Sequence, residues 1–127
     1  MVRLLIAAAV LLASTAVTNA DQHWRPTEAQ LEIVELPGPA TLRRLGEIVE
    51  SAPDNYRCRA KAFRRLGLSP AEGELYYLVR CADSERYTIR VRRDATGTTG
   101  VMSCTFLETL NINCDAMSPA SYLHPFR

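Results

Sequence analysis

Four cysteines are the first residues whose type and spacing could do chemistry: Cys58, Cys81, Cys104 and Cys114. None forms a C-x-x-C pair, so neither a zinc knuckle nor a thioredoxin-like redox pair is supported. An even count in an exported chain points instead to two disulfides. The second candidate chemistry is cationic. Residues 57–93 carry nine Arg and one Lys against four acids, a balance of +6. Residues 21–56 carry three Arg against seven acids, a balance of −4. Formal net charge of the whole chain is only +1, so global charge gives no reason to expect nucleic-acid binding, while the central block is locally basic.

Catalytic constellations are sparse. His23 and His124 lie near opposite ends of the expected mature chain, where a triad histidine is poorly positioned; both read as surface residues. Asp83 and Glu85 fall in an expected turn, and Glu47 and Glu50 lie on the polar side of an expected helix. Both acid pairs read as solvated rather than as general acid–base partners. Asp94-x-x-Gly97 lacks the spaced carboxylates of a calcium loop. The six glycines are scattered and form no phosphate loop. The expectation is a protein without catalytic residues, metal or cofactor.

Residues 1–20 explain the compartment. Arg3 starts a positive segment, Leu4 to Val17 is apolar apart from Ser14 and Thr15, and Thr18-Asn19-Ala20 supplies small residues around a cut. That is the pattern of a secretory signal peptide, with an apolar run shorter than the roughly 20 residues a spanning helix needs. Cleavage after Ala20 leaves residues 21–127 as one small domain with loose termini, exported to a periplasm or the extracellular space and without a transmembrane segment. The hydrophobic content of 47% and charged content of 23% are ordinary for a globular chain and exclude collagen-like and disordered readings.

These residues must be held by elements that the pattern outlines. Leu31 to Leu36 alternates and reads as a short strand, broken by Pro37-Gly38-Pro39. Leu42, Leu45, Ile48 and Val49 recur at helical spacing, bounded by Pro39 and Ser51-Ala52-Pro53. Tyr56 to Leu66 fits either period. The helix reading is preferred, with Asp54 or Asn55 as its cap, Gly67 as its stop, and Arg57, Lys61, Arg64 and Arg65 on one face. Leu75, Tyr77, Val79 and Cys81, then Tyr87, Ile89 and Val91, alternate with polar residues across Ala82-Asp83-Ser84-Glu85, which reads as a β-hairpin. Val79 opposite Ile89 keeps the apolar residues on one face. It also pairs Tyr77 with Val91, Cys81 with Tyr87, Arg80 with Thr88, Leu78 with Arg90 and Tyr76 with Arg92. Asp94-Ala95-Thr96-Gly97 is a turn, residues 98–104 a third strand, and Thr105-x-x-Glu108 a capping box opening a short helix with Phe106 and Leu110 on one side. Residues 117–127 show no clear period.

The fold expected is α+β: one or two helices on a three- to four-stranded antiparallel sheet, stapled by two disulfides. Three pairings are possible for four cysteines. Cys58–Cys81, tying helix to hairpin, and Cys104–Cys114, closing a local loop, are preferred.

Residues 56–104 resemble the repeat unit of PepSY domains, in which a helix precedes a three-stranded meander. The residues that carry the resemblance are Tyr87-Thr88-Ile89-Arg90-Val91, Asp94-Ala95-Thr96-Gly97 and Val101. Arg92-Arg93, Gly100 and the four cysteines depart from that pattern. The resemblance implies an inhibitor or regulator of peptidases outside the cytoplasm. The residues themselves imply a different role: a non-catalytic binding or accessory module that holds an unknown protein or an anionic surface on an arginine-rich sheet face of Tyr76, Arg80, Arg86, Arg90 and Arg92.

Overall fold

A computed structural model describes residues 24–114. The expected signal peptide, His23, His124 and the 117–127 tail lie outside the described residues. In chain order the elements are α1 (Glu28–Val34), α2 (Gly38–Glu50), β1 (Ala60–Leu68), β2 (Leu75–Cys81), β3 (Arg86–Val91), β4 (Thr99–Ser103) and α3 (Cys104–Thr109). The four strands form one antiparallel sheet in the order β1-β2-β3-β4. The α+β class and both disulfides, Cys58–Cys81 and Cys104–Cys114, are as expected.

Of the strand expected at Leu31 to Leu36, residues 31–34 are instead the end of helix α1 and residues 35–36 its exit turn. A six-residue run satisfies both periods, and the deciding signal lies just upstream. Thr27 Oγ1 accepts from the Gln30 amide at 3.2 Å, and Gln30 Oε1 accepts from the Thr27 amide at 2.9 Å. This capping box satisfies two orphan donors of the first turn. The second helix matches its expectation: Pro39 sits in its first turn, and Leu45, Ile48 and Val49 are buried.

Residues 60–68 form a strand, against the preferred helix over Tyr56 to Leu66. Of the alanines that favoured a helix, Ala60 serves helix packing of another kind. A Cβ built on Gly46 of α2 would lie 3.3 Å from the Ala60 Cβ, so small residues let α2 lie close to β1. Gly67, expected as a helix stop, has φ +103° at a register shift between Arg65 and Gly67, where the strand bulges. Asn55, expected as a cap, turns the chain with φ +58°.

The hairpin is present, two residues out of the expected register. Val79 pairs with Tyr87, Tyr77 with Ile89 and Leu75 with Val91; on the other face Arg80 pairs with Arg86, Leu78 with Thr88 and Tyr76 with Arg90. A slip of two leaves every side chain on its expected face. The cause is the turn, which is tighter than expected. Cys81 N–H donates to Glu85 C=O at 2.8 Å, and Ser84 takes φ +72°. The Asp94 turn is as expected: Gly97, at φ +66°, donates to Asp94 C=O, and Asp94 Oδ1 accepts from Thr98 N–H at 2.8 Å. At α3 the cap is Ser103, whose hydroxyl accepts from Phe106 N–H at 3.0 Å. Thr105 and Glu108, the expected box, reach sideways to Glu85 and Arg86 instead.

Two cores result, one on each face of the sheet. Under α1 and α2 lie Ile33, Leu45, Ile48, Val49, Leu75, Tyr77, Val79, Tyr87, Ile89, Val91 and the Cys58–Cys81 bridge. Complete burial of side chains such as Leu45, Val79 and Ile89 contributes about 1.5–3 kcal/mol each. On the opposite face Tyr76, Leu107 and the Cys104–Cys114 bridge form a smaller cluster with Leu66, Leu78, Met102 and Ile112 packed against it. Helix α3 packs chiefly on β3 and β4, and its cluster reaches Leu66 of β1 and Tyr76 and Leu78 of β2; the part of that face around Ala62, Arg80 and Arg86 stays open.

Candidate functional site: an arginine-lined groove on the open half of the sheet

The residues expected to form one basic face separate into two groups. Tyr76 is buried at 2% exposure beneath the α3 cluster. Its hydroxyl donates to Glu74 Oε1 at 3.4 Å, and burial, reinforced by the Glu74 charge, pushes the phenol pKa far above its ordinary value. Arg90 lies 3.6 Å from Glu74. Arg92 Nη1 donates to Thr99 C=O at 3.3 Å, clamping β3 to β4. These three side chains stitch the covered half of the face together.

Arg80 and Arg86 lie on the other half, where Arg64 of β1 joins them. With Ala62, Phe63 and Leu78 they line a groove of about 270 Å³. Cross-strand pairing sets their row: Ala62 of β1 pairs with Arg80 of β2, which pairs with Arg86 of β3. The Cys81–Glu85 hydrogen bond next to it makes Arg80–Arg86 a non-hydrogen-bonded pair, the kind with Cα atoms about 4.5 Å apart and side chains closest. Two arginine side chains therefore leave the sheet at directly opposite positions, an arrangement of like charges that disfavours it. Arg86 is offset by Glu108 at 3.1 Å. Arg80 is exposed and forms no salt bridge among the described residues.

The lining offers guanidinium forks over an apolar floor. Forks of this kind match carboxylate, sulfate or phosphate oxygens two at a time. Arg64 was placed by sequence reasoning on a helix with Arg57, Lys61 and Arg65. The alternation of Ala62 and Arg64 against Phe63 and Arg65 was the signal for its true position. Arg65 points to the helix side, where it hydrogen-bonds the Tyr77 hydroxyl.

The acid pairs serve the backbone. Glu50 Oε2 accepts from Cys58 N–H at 3.2 Å, and Asp83 Oδ1 accepts from Glu85 N–H at 3.0 Å. Among the described residues no group of three His, Cys, Asp or Glu side chains could hold a metal ion, and no helix is long and apolar enough to cross a membrane. Comparison with protein families, with curated proteins and with solved structures finds no match to this chain.

Proposed function

We propose that this protein is a small exported, non-catalytic binding module that holds an anionic protein partner in the groove of Arg64, Arg80 and Arg86. The observation that carries this reading is the Arg80–Arg86 cross-strand pair. A like-charge pair weakens the sheet in isolation, and an incoming carboxylate between the two guanidinium groups turns that repulsion into two charge-assisted contacts. The apolar floor of Ala62 and Leu78 suits an acidic side chain flanked by apolar ones. The two disulfides are consistent with an oxidising compartment.

The test is capture from the host's own exported fraction with the tagged mature protein. A partner held at low salt and released at high salt is expected, because exposed charge contacts are screened. The double variant Arg64→Gln with Arg80→Gln should lose that partner without any loss of thermal stability. Equal capture by the variant would refute the groove assignment.

A second reading rests on the β2–β3–β4 meander with its Asp94–Gly97 turn, the part of the PepSY-like pattern that is present; the helix expected before it at Tyr56 to Leu66 is replaced by strand β1. On that reading the anionic partner is an exported peptidase, and the protein inhibits or regulates it. Stoichiometric inhibition of a captured peptidase would support it.

A further inference from the structure

The two edges of the sheet are built differently. Edge strand β1 carries Lys61, Arg64 and Arg65 and two register shifts. Charges and bulges of that kind discourage further strand pairing. Edge strand β4, Thr99-Gly100-Val101-Met102-Ser103, carries no charge and pairs with β3 without a register shift. By the same criterion it is the unprotected edge.

Its hydrogen-bonding groups are placed by the ladder. Arg92 N–H donates to Thr98 C=O at 2.9 Å, which makes Val91–Thr99 a non-hydrogen-bonded pair. The alternation then turns the main-chain groups of Thr99, Val101 and Ser103 away from β3. On α3, Thr105 and Glu108 lean toward Glu85 and Arg86 at the β2–β3 turn. Phe106, on the helix face away from Thr105 and Glu108, and Leu110, the C-cap one turn later, are each 49% exposed.

We infer that β4 is a dimerisation edge and that its occupant is β4 of a second copy of this chain, run antiparallel. A two-fold axis at Val101 pairs Val101 with its own copy, and Thr99 with the second copy's Ser103. All three positions have main-chain N–H groups turned outward; the Ser103 carbonyl, at the N-cap of α3, gives one lone pair to the first helical bond and keeps the second, so the register completes a ladder. An even register keeps Thr99, Val101 and Ser103 of both copies on the α1–α2 side. The strand has no charge to repel itself, and a charged partner finds nothing there to pair with. The same axis brings the Phe106 and Leu110 flanks of the two α3 helices together, as an isologous contact requires. The Arg92 guanidinium takes one lone pair of the Thr99 carbonyl and leaves the second.

Sedimentation equilibrium of the disulfide-intact mature protein tests this, with amide hydrogen exchange read alongside. The expected result is a concentration-dependent dimer whose Val101 amide exchanges more slowly as dimer forms. Thr99→Pro removes an outward N–H without touching the β3 ladder, and Leu110→Glu places charge on the helix flank. Each should shift the mass to that of a monomer with the far-UV spectrum retained. Arg64→Gln with Arg80→Gln should leave the dimer intact, so this inference and the groove reading fail separately. A monomer at every concentration overturns the inference, and so does a slowly exchanging Val101 amide in a monomer, which would place another segment on the edge. A dimer unchanged by Leu110→Glu also overturns it, whether or not the proline variant folds.

Discussion

Replacing Arg80 by Gln should stabilise the protein, and that outcome separates a binding residue from a structural one. Arg80 stands opposite Arg86 in a close, non-hydrogen-bonded pair, and no salt bridge among the described residues holds it. Opposed like charges on a sheet disfavour it by a few tenths to about 1 kcal/mol. The Arg86–Glu108 pair, with half of the Glu108 side chain exposed, offsets part of this, because surface pairs are weak. The net gain expected for Arg80→Gln is then about 0.5 kcal/mol. For a domain of this size each kcal/mol moves Tm by about 4–8 °C, so Tm should rise by about 2–4 °C. The gain should shrink at 1 M salt, where the screening length falls to about 3 Å. Arg80→Glu should gain more, since it turns the repulsion into attraction. Thermal unfolding followed by circular dichroism at two salt concentrations gives the answer. A Tm lowered by Arg80→Gln would show that Arg80 supports the fold and would remove the argument that it is kept for a partner. A gain independent of salt would show that repulsion is not its source.

Two further outcomes follow from the same geometry. With sequence separations of 23 and 10, the chain-entropy relation gives about 3.4 kcal/mol for Cys58–Cys81 and about 2.7 kcal/mol for Cys104–Cys114; urea unfolding of the two double-alanine variants should rank in that order, and alkylation of the native protein should find no free thiol. Burial raises the pKa values of Tyr76 and Tyr77 above the usual phenol value, so the folded state holds these protons more tightly than the unfolded chain. The stability they contribute is complete below about pH 10 and is lost as pH rises toward the folded values; part of the tyrosinate absorbance should therefore appear together with loss of the circular dichroism signal, and full ionisation before unfolding would contradict their burial.

Much of the sheet was legible because long alternating runs have one reading. Leu75 to Cys81 and Tyr87 to Val91 alternate for seven and five residues with a turn between them, and the two strands pair antiparallel with every side chain on its expected face, though two residues out of register. What failed was local. A six-residue run such as Leu31 to Leu36 fits both periods, and the decisive Thr27–Gln30 box lies before it. Gln30 itself is fully buried and donates to the carbonyls of Gly73 and Val91 at 3.2 and 3.0 Å. Such long-range bonds leave no trace in local pattern. Ala60 answers to helix α2 packed across it, a tertiary demand that overrides propensity, while Ala62 lies on the opposite, open face. The hairpin slipped by two because a turn two residues shorter keeps every side chain on its face, so patterning alone leaves the choice free.

Candidate site legibility has the same root. Alternation placed Tyr76, Arg80, Arg86 and Arg90 on one face correctly, yet a sheet face is not a surface until its cover is known. The cover here is α3, six residues long, too short to persist without tertiary support. Leu107 and the Cys104–Cys114 bridge supply that support. The bridge sits over Tyr76 and holds α3 on β3 and β4. It thereby decides which arginines become struts, with Glu74 and Thr99 as their partners, and which remain in an open row. The second disulfide does more than close a local loop. By pinning a helix that could not hold itself, it divides one basic face into a covered half that stabilises the sheet and an open half that carries a like-charge pair.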